Sequence, residues 1–209
     1  MKKIVYGVII LTAMAVGVTA GHLYREWQKP NPDTLQLQGT LFERPRPLPD
    51  FTLIDYDGQE FGKSKFQGAW TLVFYGFTNC PDVCPTTLAT ISRTIKLLND
   101  AQASTLPEVL FISVDPMRDK PEKIKAYTKY FHENFKGATG DTANLLQIAQ
   151  AMSVAYNYVP VDDGRDYTVD HSSTILLINP RAELTAVFTA PHKADSLAKD
   201  YLSITTLLE

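Results

Sequence analysis

The amino-acid sequence predicts an α/β fold built on a central mixed sheet that is flanked by helices. Two continuous apolar runs, Trp70–Phe77 and Val109–Val114, are typical of strands that are buried on both faces of a sheet. Between them, Thr86–Leu98 carries apolar residues at the spacing of one face of a helix. This alternation of strand, helix and strand favours parallel strands joined by a helical crossover.

The remaining segments continue this alternation along the chain. Phe51–Ile54, a turn at Asp57-Gly58 and then Phe61 predict a short hairpin. Pro121–Phe131 opens with proline and glutamate, as is common in the first turn of a helix. The same patterns predict a helix at Thr142–Met152, strands at Ser173–Ile178 and Leu184–Phe188, and a closing helix at Ala194–Leu208. Functional residues are expected where the buried strands end.

Composition excludes several classes of protein. The chain has 209 residues, of which 44% are hydrophobic and 21% charged, and this apolar content is too high for a disordered protein. Its two cysteines are too few for a domain held together by disulfides. The formal net charge is −3 and no basic run occurs beyond the extreme N-terminus, so a surface that binds nucleic acid is not expected.

The N-terminus has the pattern of an export or anchoring segment. Lys2 and Lys3 precede an uncharged run, Ile4–Ala20, which as a helix would nearly cross a bilayer. Tyr24 and Trp27 follow, where amphipathic aromatic side chains favour the membrane interface. We expect a single-pass anchor in the cell membrane, with the globular part outside the cytoplasm, on the periplasmic or extracytoplasmic side. A cleaved signal peptide and an ordinary buried helix are the alternatives.

These patterns divide the chain into three parts. Residues 1–24 are predicted to be the anchor or signal segment. Residues 25–50 hold many of the 13 prolines and are predicted to be a stiff linker that carries the domain away from the membrane. Residues 51–209 are predicted to form the globular domain.

Both cysteines fall in one short segment, Asn79–Pro85, which follows a predicted buried strand and leads into a predicted helix. Cys80 and Cys84 have the i, i+4 spacing that places both sulfur atoms on one face of a helical turn. The N-terminus of a helix favours the thiolate and lowers a cysteine pKa. Such a pair can close to a disulfide or hold a soft metal ion. A permanent structural disulfide and a pair of buried, unreactive thiols are the alternatives.

One of the four histidines stands out by its position. His171 follows a long polar loop, predicted between Val159 and Asp170, and directly precedes a predicted central strand. A residue in this place can approach the turn that holds Cys80 and Cys84, although a hydrogen-bonded histidine at a strand start would have the same pattern. Two thiolates and an imidazole would select copper or zinc, whereas an iron–sulfur cluster would need more cysteines.

Four motifs occur in the order and at the distances found in one known family. They are Tyr75–Pro85 (YGFTNCPDVCP), Ser113–Pro116 with Arg118-Asp119, Phe135–Gly140 (FKGATG) and Asp170–Ser172. In these motifs the sequence resembles the SCO/SenC family. The resemblance implies a thioredoxin-like fold and a copper ion, Cu(I) or Cu(II), bound by Cys80, Cys84 and His171. It also implies a role in the assembly of the binuclear copper centre of cytochrome c oxidase.

Two functions are compatible with this resemblance. The first is a membrane-tethered copper metallochaperone, a binding protein rather than an enzyme, which delivers copper to the copper-site subunit of the oxidase. The second is a thiol–disulfide oxidoreductase that uses Cys80 and Cys84 as its redox-active pair to reduce the cysteines of that subunit. An upstream copper donor or thiol reductase is a further expected partner. A zinc-binding sensor and a thiol peroxidase are less favoured alternatives.

Four polar residues near these motifs are candidates to orient the ligands or to dock a partner: Asp82, Asp115, Arg118 and Asp170. Asp115, Arg118 and Asp119 follow the second buried strand, near the same edge of the sheet as the cysteines. The alternative for these three residues is a capped loop with an internal ion pair that serves only the local structure. The sequence alone leaves both possibilities open.

Overall fold

The computed structural model describes residues 13–22, 24, 37–161 and 166–208. The chain divides into two compact units, and the larger one, Leu37–Tyr201, contains the candidate site. In the other unit, residues 13–22 and 24 are helical and exposed, while the rest of the predicted anchor lies outside the described residues. Among the described residues, no helix combines the length and the apolar character needed to cross a membrane.

In the described part of the chain, eight strands form one sheet and two more form a separate hairpin. The strands are β1 (Thr40–Pro47), β2 (Thr52–Asp55), β3 (Glu60–Gly62), β4 (Thr71–Gly76), β5 (Glu108–Ser113), β6 (Lys136–Thr139), β7 (Tyr156–Val161), β8 (Asp166–His171), β9 (Ile175–Ile178) and β10 (Glu183–Phe188). The helices are α1 (Val83–Asp100), α2 (Pro121–Phe131), α3 (Thr142–Ala151) and α4 (Ala194–Leu208). The order in the main sheet is β1-β10-β9-β4-β5-β6-β2-β3, and β7 pairs with β8.

The centre of the main sheet is the predicted strand–helix–strand unit. β4 and β5 are parallel, with Gly76 opposite Ser113, and β9 runs antiparallel to β4 on its other side. Every residue of β4 is buried, which confirms the prediction of a strand covered on both faces. The predicted mixed sheet is therefore present, and the loop that follows β4 opens at the carboxyl ends of two parallel strands.

The predicted helices form, with small changes at their ends. α2 has the predicted bounds, and the predicted inner face of α1 is confirmed by the burial of Leu88, Ile91 and Leu98. α1 begins at Val83, earlier than the predicted Thr86, so Cys84 lies in its first turn. The unpaired N–H groups of that turn are therefore next to the thiol pair.

Part of the predicted linker belongs to the main sheet. Residues 40–47 form β1, which pairs with β10 and is the edge strand of the sheet. Pro45 and Pro47 are compatible with this strand because an edge strand has one side on which a missing N–H breaks no ladder bond. The high proline content of the segment therefore concealed an edge strand, while residues 25–36 lie outside the described part of the chain.

The segment predicted as a polar loop before His171 is instead a β-hairpin. β7 and β8 pair over their whole length, from Tyr156 opposite His171 to Val161 opposite Asp166. Most residues of both strands are half-buried or exposed, so the alternation that normally reveals a strand is weak. The structure therefore brings His171 to the site at the base of a hairpin rather than at the end of a loop.

Candidate metal centre

Cys80, Cys84 and His171 come together beyond the carboxyl end of β4. Cys80 lies in the loop between β4 and α1, Cys84 lies in the first turn of α1, and His171 is the last residue of β8. Their ligand atoms all lie within 4.8 Å of one another. Both cysteines are free thiols. Cys84 is fully buried, whereas Cys80 and His171 are partly exposed, so the cluster opens to solvent on one side.

The imidazole of His171 is oriented by its surroundings. Its Nδ1 lies 3.2 Å from the carbonyl oxygen of Ser172, which can only accept a hydrogen bond, so Nδ1 is the donor of this bond and Nε2 is the ring nitrogen left to face the two sulfur atoms. Nε2 lies 3.3 Å from Sγ of Cys84. The rings of Phe74 and Phe77 contact the imidazole edge to face, with centroid distances of 5.9 and 6.0 Å. This tautomer and orientation suit an imidazole that ligates a metal through Nε2.

Gly76, the last residue of β4, makes room for the sulfur of Cys84. A Cβ added to Gly76 would lie 2.7 Å from Sγ of Cys84 and 2.9 Å from the ring of Phe111, both well below contact distance. A glycine is therefore needed for the sulfur to lie against the strand backbone. Sequence reasoning did not single out Gly76, and its only signal is a glycine within a bulky apolar run shortly before the cysteines.

The two thiols differ strongly in acidity. A hydrogen bond from the Cys84 side chain, supported by His171 and by backbone groups of Cys84 and Asp82, lowers the pKa of Cys80 to about 3. The backbone N–H of Cys84 lies 3.4 Å from Sγ of Cys80. The same hydrogen bond, together with burial, raises the pKa of Cys84 well above its usual range. At neutral pH the pair therefore holds one proton, which stays on Cys84, and Cys80 is the thiolate.

Asp119 fixes the loop that carries Cys80. Its buried carboxylate accepts hydrogen bonds from the backbone N–H and the hydroxyl of Thr78, at 2.8 and 2.5 Å, and from the hydroxyl of Ser113 at 2.6 Å. Lys123 donates to the same carboxylate at 3.2 Å. The carboxylate therefore joins the end of β5 to the cysteine loop. The sequence placed Asp119 with Asp115 and Arg118 near this edge of the sheet, but it could not identify the partner Thr78, which is 41 residues away along the chain.

Asp115, Arg118 and Tyr167 form a clasp between the loop after β5 and the hairpin that carries His171. Nε of Arg118 donates to Asp115 at 2.5 Å, and Nη1 donates to the carbonyl oxygen of Tyr167 at 2.8 Å. The hydroxyl of Tyr167 donates to the other carboxylate oxygen of Asp115 at 2.7 Å. The guanidinium also lies 3.8 Å from the centre of the Tyr167 ring. The ion pair expected in this loop is therefore present, and it reaches the hairpin as well.

Replacing Arg118 with methionine is expected to loosen the His171 hairpin while the main sheet stays folded. The change removes the hydrogen bonds of the guanidinium to Asp115 and Tyr167, and one bond to a charged group is worth about 1.5–3 kcal/mol. Since about 1.4 kcal/mol corresponds to a factor of ten, backbone amides of β8 should exchange with solvent about 10- to 100-fold faster. Hydrogen exchange on the metal-free protein measures this change.

Arg181→Met is the matched control for this variant. Arg181 pairs with Glu183 near the turn between β9 and β10, and within the described residues neither side chain forms a hydrogen bond or ion pair with the hairpin. The control should therefore leave amide exchange in β8 unchanged. If Arg118→Met also left it unchanged, the clasp would not be what holds the hairpin in place.

The side chains of Asp82 and Asp170 form no hydrogen bond or ion pair with the three ligands in the part of the chain that the structure describes. Asp82 is the N-cap residue of α1 but its side chain makes no capping bond, and its carboxylate lies 3.4 Å from the hydroxyl of Thr86. Asp170 is exposed and lies opposite Asn157 in the hairpin register. A role for either carboxylate in docking a partner stays a prediction.

Fold and site together define a class of protein. The strand order β5-β4-β9-β10, with α1 directly after β4, is a thioredoxin-like arrangement whose thiol pair is joined by an imidazole to form a candidate soft-metal site. The SCO1/SenC family model matches residues 42–206, and the chain belongs to this family. The resemblance inferred from the four sequence motifs is thereby confirmed.

Similar proteins and structures extend this assignment. The "Protein SCO2 homolog, mitochondrial" of Homo sapiens is 36% identical over 149 residues, which are 71% of this chain and 56% of that protein. The chain thus matches little more than half the length of this relative. A "Putative copper-binding protein" of Stutzerimonas stutzeri is 34% identical over 159 residues, which are 76% of this chain and 77% of that protein.

A solved structure is similar in fold and contains the metal. The crystal structure of Arabidopsis thaliana ScoI with copper bound has a TM-score of 0.71 against this chain at 31% sequence identity. The similarity covers 76% of this chain and 98% of that one. Copper binding is therefore established for a structural relative with the same fold.

Proposed function

We propose that this protein binds one copper ion through Cys80, Cys84 and His171 and delivers it to the binuclear copper centre of cytochrome c oxidase during assembly. The observation that carries the proposal is the approach of two sulfur atoms and one imidazole to within 4.8 Å at the open end of the sheet. Membership of the SCO1/SenC family and the copper held by a homologous structure support it. The partner is the copper-site subunit of the oxidase, and the protein acts by binding rather than as an enzyme.

The donor set is suited to copper. Thiolate sulfur and imidazole nitrogen bind copper well, whereas an iron–sulfur cluster would need more thiolates than the two that this chain has. Cys80 is a thiolate at neutral pH, and binding of copper would displace the remaining proton from Cys84. Because Cys80 and His171 are partly exposed, a thiolate of the partner can reach the ion from the solvent side.

His171 is the ligand best placed to leave first during transfer. Cys80 and Cys84 lie on a loop and helix that Asp119 ties to the main sheet through Thr78. His171 lies on a hairpin whose two strands, among the described residues, pair only with each other. When a partner thiolate replaces the imidazole and the clasp of Asp115, Arg118 and Tyr167 opens, the hairpin can withdraw as a unit while both sulfur atoms keep the copper.

Redox state would control copper loading. Oxidation of the pair forms a Cys80–Cys84 disulfide, passes two electrons to the oxidant and releases the one proton that the pair holds at neutral pH, which removes both sulfur ligands. Copper can then bind only after a thiol reductase has reduced the pair. An upstream reductase and a copper donor therefore belong among the proposed partners.

We also infer that an N-terminal anchor tethers the domain outside the cytoplasm, on the periplasmic or extracytoplasmic side of the cell membrane. Support comes from the sequence, in which Lys2 and Lys3 precede the uncharged run Ile4–Ala20 and favour an inside N-terminus. Such a location is oxidising, which is consistent with the need for a reductase before copper can bind.

An anaerobic copper titration of the reduced protein tests the proposed function. We expect one tightly held Cu(I) per chain, which an excess of zinc does not displace because soft thiolates favour Cu(I). The control is the same protein with the Cys80–Cys84 disulfide formed, which should bind copper far more weakly. Equal and weak binding by the reduced and oxidised forms would exclude copper delivery through this site.

A thiol–disulfide oxidoreductase is the second candidate function, and the asymmetry of the thiol pair favours it. The partly exposed Cys80 thiolate would attack a disulfide of the oxidase subunit, forming a mixed disulfide and releasing one partner thiolate. Cys84, once deprotonated, would then attack Cys80 and release the second partner thiolate. This chain would end oxidised and the partner reduced, and His171 would not be required.

A further inference from the structure

A shallow groove, called the α1 groove below, runs along the outer face of α1 beyond the cysteine pair. It consists of two neighbouring hollows of about 570 and 680 Å³ that share Thr86, Ala89 and Arg93. The loop before α4 and the first turn of α4 form one wall, and the end of α2 forms the other. The side chains of Thr86 and Ala89 are small and exposed, so the floor of the groove stays open in the described part of the chain.

The α1 groove begins beside the metal centre. Thr86, which lies in its floor, is only two residues after Cys84 on the same helix. His192 lies in the wall on the α4 side, and its Nε2 donates a hydrogen bond to the carbonyl oxygen of Ser173 at 2.5 Å. Ser173 is in turn two residues after His171. The groove is therefore joined to both segments that supply the ligands, and it leads away from them along α1.

The α1 groove carries two positive charges that the fold does not use. Arg93 and Lys193 line the same hollow, both are exposed, and neither forms an ion pair or hydrogen bond within the described residues. Lys96, farther along α1, differs because it pairs with Asp100 at 2.7 Å. The acidic residue of the groove, Asp195, is in the first turn of α4, where the helix N-terminus favours a carboxylate. Arg93 and Lys193 are therefore free to bind carboxylates from outside.

Aromatic surface completes the α1 groove on the α2 side. Tyr130 is 83% exposed, and the neighbouring Phe131 is half-buried. Exposed aromatic side chains are enriched where proteins contact each other. A surface that binds anionic lipids usually has about four to eight clustered basic residues, whereas this groove has two unpaired ones in a chain of net charge −3. The groove therefore suits a protein segment with a few carboxylates better than a membrane.

We propose that the α1 groove docks an acidic segment of the copper-site subunit of the oxidase, with Arg93 and Lys193 bound to its carboxylates. This inference rests on the proposed function and adds how the partner is recognised. Arg93 comes nine residues after Cys84, which is about 14 Å along a helix. We therefore expect the acidic segment about 14 Å from the thiolates with which the partner takes the copper. Docking there would hold those thiolates at the open side of the metal centre, where Cys80 and His171 are partly exposed.

Reversal of both charges tests the proposal. The full, reduced, metal-free chain is titrated by calorimetry with the copper-free soluble domain of the oxidase copper-site subunit, at about 20 mM and about 150 mM salt. In Arg93→Glu/Lys193→Glu, each attraction becomes a repulsion, so we expect the Kd to rise about tenfold at the lower salt concentration. The difference should narrow at the higher concentration, because salt screens exposed charges. Neither residue contacts the metal ligands, so Cu(I) affinity should be unchanged.

Lys65→Glu/Lys199→Glu is the matched control. Both lysines are exposed and lie outside the α1 groove, and this variant changes the net charge by the same amount. Its Kd should change about twofold at most, because only the long-range charge differs. Hydrogen exchange on the complex locates the contact, and we expect protection of residues 85–96 and 190–196 in the unchanged chain and in the control.

The outcomes separate this inference from the proposed function. A Kd that is unchanged in Arg93→Glu/Lys193→Glu, or equally raised in the control, would overturn docking in the α1 groove, and so would a complex that protects other segments. If vesicles containing phosphatidylglycerol bound the unchanged chain but not this variant, while the Kd for the domain stayed the same, the two charges would serve a membrane instead. A complex that forms in the groove but passes no copper from the loaded chain would overturn copper delivery and leave the docking surface standing.

Discussion

A His171→Ala protein is expected to bind Cu(I) roughly 100- to 1000-fold more weakly than the unchanged chain while keeping its fold. Structural metal sites with four ligands gain about 10–16 kcal/mol, or roughly 2.5–4 kcal/mol per ligand, and about 1.4 kcal/mol corresponds to a factor of ten. The side chain lies at the base of a hairpin outside the main sheet, so its loss should not disturb the core. Competition with a chelator of known Cu(I) affinity measures the change.

His132→Ala is the control for this variant. Its imidazole is also partly exposed and stacks on Phe135, so the change removes a similar group away from the three ligands. Copper affinity should then be unchanged. A His171→Ala protein with full Cu(I) affinity would end the three-ligand proposal. If that protein also reduced a partner disulfide at the normal rate, while Cys80→Ser did not, the oxidoreductase function would be the better account.

The core of the fold could be predicted because its signals are local. The apolar run that became β4 is buried at every position, and the spacing of Leu88, Ile91 and Leu98 fixed the inner face of α1. β6 was missed because it has only four residues, two of which are the small Gly137 and Ala138. A strand of this kind is recognisable only when β5 and β2 are seen on either side of it.

Prediction of the site was limited by contacts between distant parts of the chain. The local spacing of Cys80 and Cys84 was sufficient to indicate a thiol pair at a helix start. The prediction that a polar loop carries His171 to that pair was wrong, because a hairpin with half-buried strands resembles a polar loop in sequence. The Arg118–Tyr167 contact spans 49 residues, so the sequence could place Arg118 near the site but could not show what it holds.

Alkylation of Cys80 in the folded, metal-free protein is expected to proceed at nearly the same rate from about pH 5 to about pH 8. The hydrogen bond from Cys84, with contributions from His171 and the backbone, lowers the pKa of Cys80 to about 3, so the thiolate is fully formed throughout this range. The reactivity of an ordinary cysteine, with a pKa of about 8.5, falls roughly several hundredfold when the pH is lowered from about 8 to about 5. Iodoacetamide labelling followed by mass spectrometry measures the alkylation rate of each cysteine at each pH.

The shape of the pH profile is the diagnostic quantity, because a thiolate with a low pKa is also a weaker nucleophile. In urea, where the site is lost, both cysteines should show the ordinary steep profile, and in the folded protein the buried Cys84 should stay unlabelled. Cys84→Ala removes the largest cause of the lowered pKa and should restore a steep profile for Cys80, more completely than His171→Ala does. A steep profile in the unchanged folded chain would mean that the thiolate forms only when the metal binds.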